Sequence, residues 1–263
     1  MQIITLLSDF GLKDPYVSEM KGVILSMCPN VTIVDISHEI RKFDVRMGAF
    51  VLSQAAPYFP AGTIHVAVVD PGVGTERRPI LVETKHSYYV GPDNGLLIFS
   101  AQKEGIRHIY EIINPKYMLR KISRTFHGRD IFSCTAAYLA KGVPPSEFGS
   151  KIDNPIIPDF VKPVFMKDGL VGEVIHIDDF GNLITNISFR DLEKIGAEEG
   201  KGLSIKLGDI ILKLKLCSAY GEAPTKTPLT IIGGSGFLEV SINQGNAAVE
   251  FNAKVGDSIH VKI

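Results

Sequence analysis

The hydrophobic period of this chain changes once, and that change limits the fold more than any single motif. Up to about residue 142, short β-branched runs alternate with helical patterns: IITLLSD then YVSEMKGVILSMC, VTIVDIS then DVRMGAFVLSQAA, then TIHVAVVD. Alternation of this kind predicts an α/β domain with a largely parallel sheet. Val17, Met20, Val23, Ile24 and Met27 recur at helical spacing, and Pro29-Asn30 stops that helix. LVETKHSYYVGPDNGLL reads as strand, turn and strand, with Pro92-Asp93-Asn94-Gly95 as the turn. RDIFSCTAAYLAKG closes this half as a helix. Prolines at 144, 145, 155, 158 and 163 then forbid regular structure and mark a linker. Beyond them GLVGEVIHID, NLITNI, GLSIKLGDIILKLKL, PLTIIGG, FLEVSI and SIHVKI are short strands with almost no helix, the pattern of a small β-barrel or sandwich. The expected domains are an α/β domain over 1–160 and a smaller all-β domain over 161–263.

Charge excludes several partner classes. Lys plus Arg number 28 against 29 Asp plus Glu, so a net charge of -1 supplies no field for nucleic acid or an anionic membrane. No apolar run reaches the roughly 18 residues a membrane span needs, and no leader-like segment opens the sequence. Cys28, Cys134 and Cys217 are odd in number and lack CxxC spacing, which predicts reduced thiols and a cytoplasmic location.

Four motifs carry the candidate chemistry. VVDPGVGTERRP, at 68–79, has the glycines of a phosphate loop but neither the Lys-Ser/Thr pair nor a following helix, so its reactive group is Asp70, at the carboxyl end of a predicted buried strand. A turn-forming aspartate before Pro71 is the plainer alternative. SDFG at 8–11 is echoed by DDFGN at 178–182. Asp9 and Asp178 each leave a predicted strand, where a carboxylate can take ribose hydroxyls or an ammonium, or can cap its own turn. No HRD-type loop exists, which removes the kinase comparison. TFHGRD places His127 before a helix, where it can hold a proton near neutral pH or be structural. A metal site from His38, His127, Asp9 and Asp130 is conceivable but has no supporting ligand spacing. Phe43, Phe126, Phe180 and Tyr220 stand in polar or glycine-bearing surroundings where a flat base could stack.

In order and across nearly the whole chain, SDFGLKDPYV, VVDPGVGTERRP, GPDNGLL, TFHGRD, IDDFGNLITNI, AYGE and GGSGFLEV resemble the S-adenosyl-L-methionine hydrolases, also called hydroxide adenosyltransferases, relatives of the fluorinase and chlorinase enzymes. The resemblance implies an α/β domain joined to a β-barrel and a homotrimer with sites between subunits. It implies conversion of S-adenosyl-L-methionine and water to adenosine and L-methionine with no cofactor and no metal. The resemblance puts the set around the attacking water at Asp70, Arg77 and His127, with Arg78 as the near alternative. For binding it implies Asp9 on the ribose hydroxyls, Asp178 on the methionine ammonium and Asn182 near adenine. Phe180 and Tyr220 border the purine, Phe43 borders the ribose, and Asp14 and Ser235 serve the methionine end. The halide-using relatives carry Tyr at the place of Asp70 and Tyr-Ser at His127-Gly128. They have Ser-Arg at Gly234-Ser235, which leaves the carboxylate anchor open. Two competing functions are a halide-dependent 5′-halo-5′-deoxyadenosine synthase and a low-turnover adenosine or S-adenosyl-L-methionine sensor.

Overall fold

The computed structural model describes residues 2–158 and 162–263, and the chain forms two compact units that divide after Pro158. The boundary expected at 160/161 lies outside the described residues.

The first unit is built on a six-stranded sheet in the order β2-β1-β3-β5-β4-β6. β1 (Ile3–Ser8) pairs in parallel with β2 (Thr32–Ser37) and β3 (Ile64–Val68), and β3 with β5 (Tyr88–Pro92). β4 (Pro79–Thr84) is antiparallel to both β5 and β6 (Ile106–Glu111). The sheet is therefore mixed: β4 alone runs against the other five strands. The reason is local: Lys85, His86 and Ser87 alone join β4 to β5, and so short a link allows only a hairpin.

The central strands are apolar on both sides because helices cover both faces. Leu6 packs with Met20 and Ile24 of α1 (Tyr16–Met27) and Ala136 of α4 (Ser133–Ala140). Burying each large side chain of this group contributes about 1.5–3 kcal/mol. On the other face, α2 (Val45–Ala55) approaches so closely that a Cβ on Gly48 would stand 2.8 Å from Leu96 and 3.0 Å from Val69. The Asp44 side chain caps α2 by accepting from Met47 N at 2.9 Å. The expected turn at Pro92-Asp93-Asn94-Gly95 is present in part, since β5 runs to Pro92, but it leads into α3 (Ile98–Glu104) rather than a strand. LLIFSA is short and apolar throughout, so its pattern fits a buried helix as well as a strand.

The second unit closes on itself. β8 (Gly169–Ile177), β9 (Leu183–Ser188), β10 (Gly202–Leu207), β11 (Ile210–Cys217), β12 (Pro228–Ile232), β13 (Phe237–Ile242) and β14 (Ser258–Lys262) run in the order β14-β10-β11-β12-β13-β9-β8, and β14 also pairs with β8. β7 (Val164–Met166) is appended to β8. The inward residues, among them Leu170, Val174, Leu203, Ile205, Leu238, Val240, Ile259 and Val261, fill the barrel. Two short helices, α5 (Phe189–Lys194) and α6 (Ala247–Glu250), sit in its connections. Among the described residues no helix is long and apolar enough to cross a membrane.

Candidate active site

The β1–β3 register aligns Ser8 with Val68, so Asp9 and Asp70 leave adjacent parallel strands at the same carboxyl edge. That edge is where open α/β sheets present ligands. After Asp70 the chain turns through Val73 N to Asp70 O at 3.3 Å and Thr75 N to Gly72 O at 3.2 Å. Gly74 has φ +74, and a Cβ there would stand 2.1 Å from the Arg124 carbonyl oxygen. The glycine thus lets two loops touch.

The turn carries Arg77 back onto Asp70. Arg77 Nε donates to Asp70 Oδ1 at 3.1 Å and Nη2 donates to Oδ2, a bidentate pair with side chains only 7% and 5% exposed. The same Nη2 lies 3.1 Å from His127 Nδ1, and the guanidinium stands 5.5 Å from the Phe132 ring centroid. Because guanidinium nitrogens only donate, Nδ1 accepts, which assigns the His127 proton to Nε2. Burial and the Arg77 charge hold the His127 imidazole below its ordinary range, against the opposing pull of Asp70 and Asp130. His127 precedes a π-helical turn, Gly128–Phe132, whose Gly128 carbonyl accepts from Ser133 Oγ at 2.8 Å. Arg78 points elsewhere: it donates to Asp93 Oδ2 at 2.9 Å through Nε and to Asn154 Oδ1 at 3.0 Å through Nη1.

A cleft of about 350 Å³ opens here, lined by Asp9, Asp14, Phe43, Asp70, His127 and Gly128 among others. Arg77 lies behind Asp70 and does not line it. Asp9 Oδ2 accepts from Phe43 N at 2.8 Å, and Lys42 Nζ donates to the Asp9 carbonyl. Phe43 is 71% exposed with φ +65, a left-handed conformation unfavourable for a bulky side chain. Sequence reasoning did not single out Phe10, Tyr16 or Lys42. Phe10, Tyr16 and Phe126 form an aromatic wall with ring centroids 5.3–5.8 Å apart. The conceivable metal ligands do not converge. His38 bonds to Ser8 Oγ at 2.7 Å and Asp35 at 3.1 Å, Asp130 takes Ser123 N and Arg129, and no group of three metal-type ligands occurs among the described residues.

The second unit has a cleft of its own, about 430 Å³, lined by Asp178, Phe180, Asn182, Tyr220, Ile242, Gln244 and Gly245. Asp178 Oδ1 accepts from Phe180 N at 3.0 Å and Asn182 N at 2.9 Å, and Oδ2 accepts from Asn182 Nδ2 at 2.9 Å. The two DFG sequences share a left-handed glycine, Gly11 at φ +68 and Gly181 at φ +84, but not their bonding. Asp178 caps its own turn, while Asp9 reaches 34 residues along the chain to Phe43. Phe180 is 78% exposed at the rim. Tyr220 Oη donates to Glu239 Oε2 at 2.7 Å, and burial pushes both groups up from their ordinary ranges. Ile242 and Gln244 carry no motif that marks them in the sequence, and Glu239 lies within GGSGFLEV without having been singled out. Ser235 Oγ accepts from Phe237 N at 3.4 Å within its turn and is not among the residues lining the cleft.

A mixed α/β unit with an Arg-clamped aspartate at its strand edge, followed by a seven-stranded barrel with its own acidic cleft, defines a two-domain class of small-molecule enzymes. The chain belongs to the SAM hydroxide adenosyltransferase family: the family's N-terminal domain matches residues 4–149 and its C-terminal domain residues 172–260. It is similar to the (R)-S-adenosyl-L-methionine hydrolase of Methanocaldococcus jannaschii, 38% identical over 99% of this chain and 96% of that protein. It is 34% identical to the hydrolase of the same name from Thermus thermophilus over 97% of this chain and 98% of that one. A fluorinase from Nocardia brasiliensis is 32% identical over 99% and 97%. Among solved structures, an uncharacterized conserved protein from Thermotoga maritima superposes with a TM-score of 0.93 at 37% identity, covering 99% of this chain and 100% of that chain.

Proposed function

We propose that this protein hydrolyses S-adenosyl-L-methionine to adenosine and L-methionine by in-line attack of water on the ribose C5′. The carrying observation is the Asp70–Arg77–His127 chain, whose Asp70 and His127 line the strand-edge cleft. The sulfonium is already a good leaving group, so the protein mainly has to hold one water behind C5′, opposite the sulfur. The water oxygen bonds to C5′, the C5′–S bond breaks with its electrons going to sulfur, and one water proton is released. Methionine leaves as a neutral thioether.

Asp70 accepts a hydrogen bond from the attacking water and orients it. Its bidentate bond to Arg77 fixes the carboxylate in place, and the developing hydroxide takes a second partner. A neutral His127 carrying its proton on Nε2 supplies a donor for that oxygen. A desolvated halide in place of the water would face the Asp70 carboxylate, which disfavours the fluorinase type of reaction. In this reading Asp9 holds the ribose hydroxyls, with Phe43 at its border and Asp14 toward the methionine. Asp178, Phe180, Asn182 and Tyr220 take the ammonium and adenine, and Ser235 serves the methionine end. The enzyme works without cofactor or metal, in the cytoplasm, as a homotrimer whose sites are shared between subunits. Incubation with S-adenosyl-L-methionine in ¹⁸O water tests this. Adenosine labelled at its 5′ oxygen supports attack at C5′, whereas tight binding with no adenosine makes the protein a sensor.

A further inference from the structure

The strand-edge cleft is lined by three carboxylates, Asp9, Asp14 and Asp70, and by one cation, Lys42. An ammonium group among acids is expected to pair with one of them. Lys42 does not: among the described residues no carboxylate oxygen lies within 4.0 Å of its Nζ, and its protein partner is the Asp9 backbone carbonyl. An ammonium has three donors, so two remain unengaged by the protein. The local backbone is bent to keep this arrangement. Phe43 takes a left-handed conformation at φ +65, and its N–H holds the Asp9 carboxylate while Lys42 holds the Asp9 carbonyl.

S-Adenosyl-L-methionine carries two cationic groups, the sulfonium and the ammonium, and one anion, its α-carboxylate. Acids suit the first two, and a cavity holding acids alone would repel the third. Building on the hydrolase reading, we propose that Lys42 binds the substrate α-carboxylate. This assigns the anchor to a charged residue of the first unit; Ser235, in the second unit, supplies no charge.

Steady-state kinetics on two substrates test the assignment: S-adenosyl-L-methionine and its decarboxylated form, which keeps the sulfonium and the amine. In the unaltered protein the decarboxylated compound shows a KM about tenfold higher, the scale of one charge-assisted contact. Lys42→Met raises KM for S-adenosyl-L-methionine about tenfold, with kcat within about twofold. It leaves both parameters for the decarboxylated compound unchanged, which also shows that the variant is folded. Lys42→Arg recovers most of the affinity. Equal losses on both substrates would mean that Lys42 acts only through the Asp9 backbone, and they overturn the proposal, as does an unchanged KM for S-adenosyl-L-methionine. If the unaltered protein releases no adenosine, the hydrolase reading fails. Dissociation constants for the two compounds, by calorimetry, then decide the lysine's role, and equal values overturn it.

Discussion

At the residue scale the doublet Arg77-Arg78 shows what local sequence leaves open. Neighbouring residues on extended chain point to opposite sides, so one arginine meets Asp70 and the other meets Asp93 and Asn154. Which is which depends on where the turn after Asp70 ends, and that is set by Gly74 against Arg124, a contact between loops far apart in sequence. Because Arg77 clamps Asp70 bidentately and also touches His127, a lysine cannot replace it. Arg77→Lys is expected to lower kcat about 100-fold with little change in KM, read as adenosine release. Charge removal has a second, distinct readout. Arg77 helps hold the His127 imidazole below its ordinary range, so the acid limb of the kcat/KM profile lies below the usual histidine pKa. Arg77→Gln moves that limb to higher pH, and an unmoved limb would remove His127 from the rate. Away from the cleft, His65 is wholly buried between Thr5 and Tyr89 and its imidazole is pushed down to about 4. The folded state therefore binds fewer protons than the unfolded chain between about pH 6.5 and 4. Its contribution is full above that window and is lost as pH falls through it, up to about 3 kcal/mol. Urea midpoints measured from pH 7 to pH 4.5 should show this slope, and His65→Gln should flatten it.

At the element scale, strand and helix periods placed β1, α1, β2, α2 and β3 because each is long and bounded by its own breaker, such as Asp44 before α2 or Pro29 after α1. The same logic marked every strand of the barrel. Two features escaped. The β4–β5 hairpin makes the sheet mixed, and LLIFSA runs into α3, a segment too short and too evenly apolar for its period to decide. Barrel closure was open as well, since β14 meets β8 across almost the whole length of the unit and no local pattern encodes that pairing. The loop after β3 allows a sharp test of how it positions Arg77. Gly74→Ala places a Cβ against the Arg124 carbonyl at a left-handed φ, so the 70–79 loop or the segment leading to His127 must shift. The strain belongs to surface loops rather than to the sheet core. The expected outcome is a kcat at least about tenfold lower, because a 1 Å displacement of a positioning group suffices for such a loss. Thermal denaturation should show a midpoint only a few degrees lower, as a strain of about 1–2 kcal/mol would give. A large fall in the midpoint with kcat intact would show instead that the loop carries stability and not geometry.

At the scale of the whole molecule, the sequence echo of SDFG and DDFGN pointed to two acidic turns, and the structure gives each its own cleft in its own unit. Each cleft carries a different part of the proposed site. The first has the Asp70–Arg77–His127 chain and an exposed Phe43, and the second has Asp178, Asn182 and an exposed Phe180. In the proposed homotrimer with shared sites, the first cleft of one subunit and the second of its neighbour serve one substrate. That arrangement predicts complementation between two inactive proteins. Asp70→Asn disables the reacting half and Asp178→Asn disables the binding half, and each variant alone should release little adenosine. When the two are co-expressed in equal amounts, subunits assort at random, and a site is intact when an Asp178→Asn chain supplies the first cleft and an Asp70→Asn chain the second. About a quarter of all sites meet that condition in a ring of identical interfaces, so the co-expressed population as a whole should recover about a quarter of the unaltered activity. If each chain instead completed its own site, every site in every mixture would carry a lesion and activity would stay at the level of the single variants.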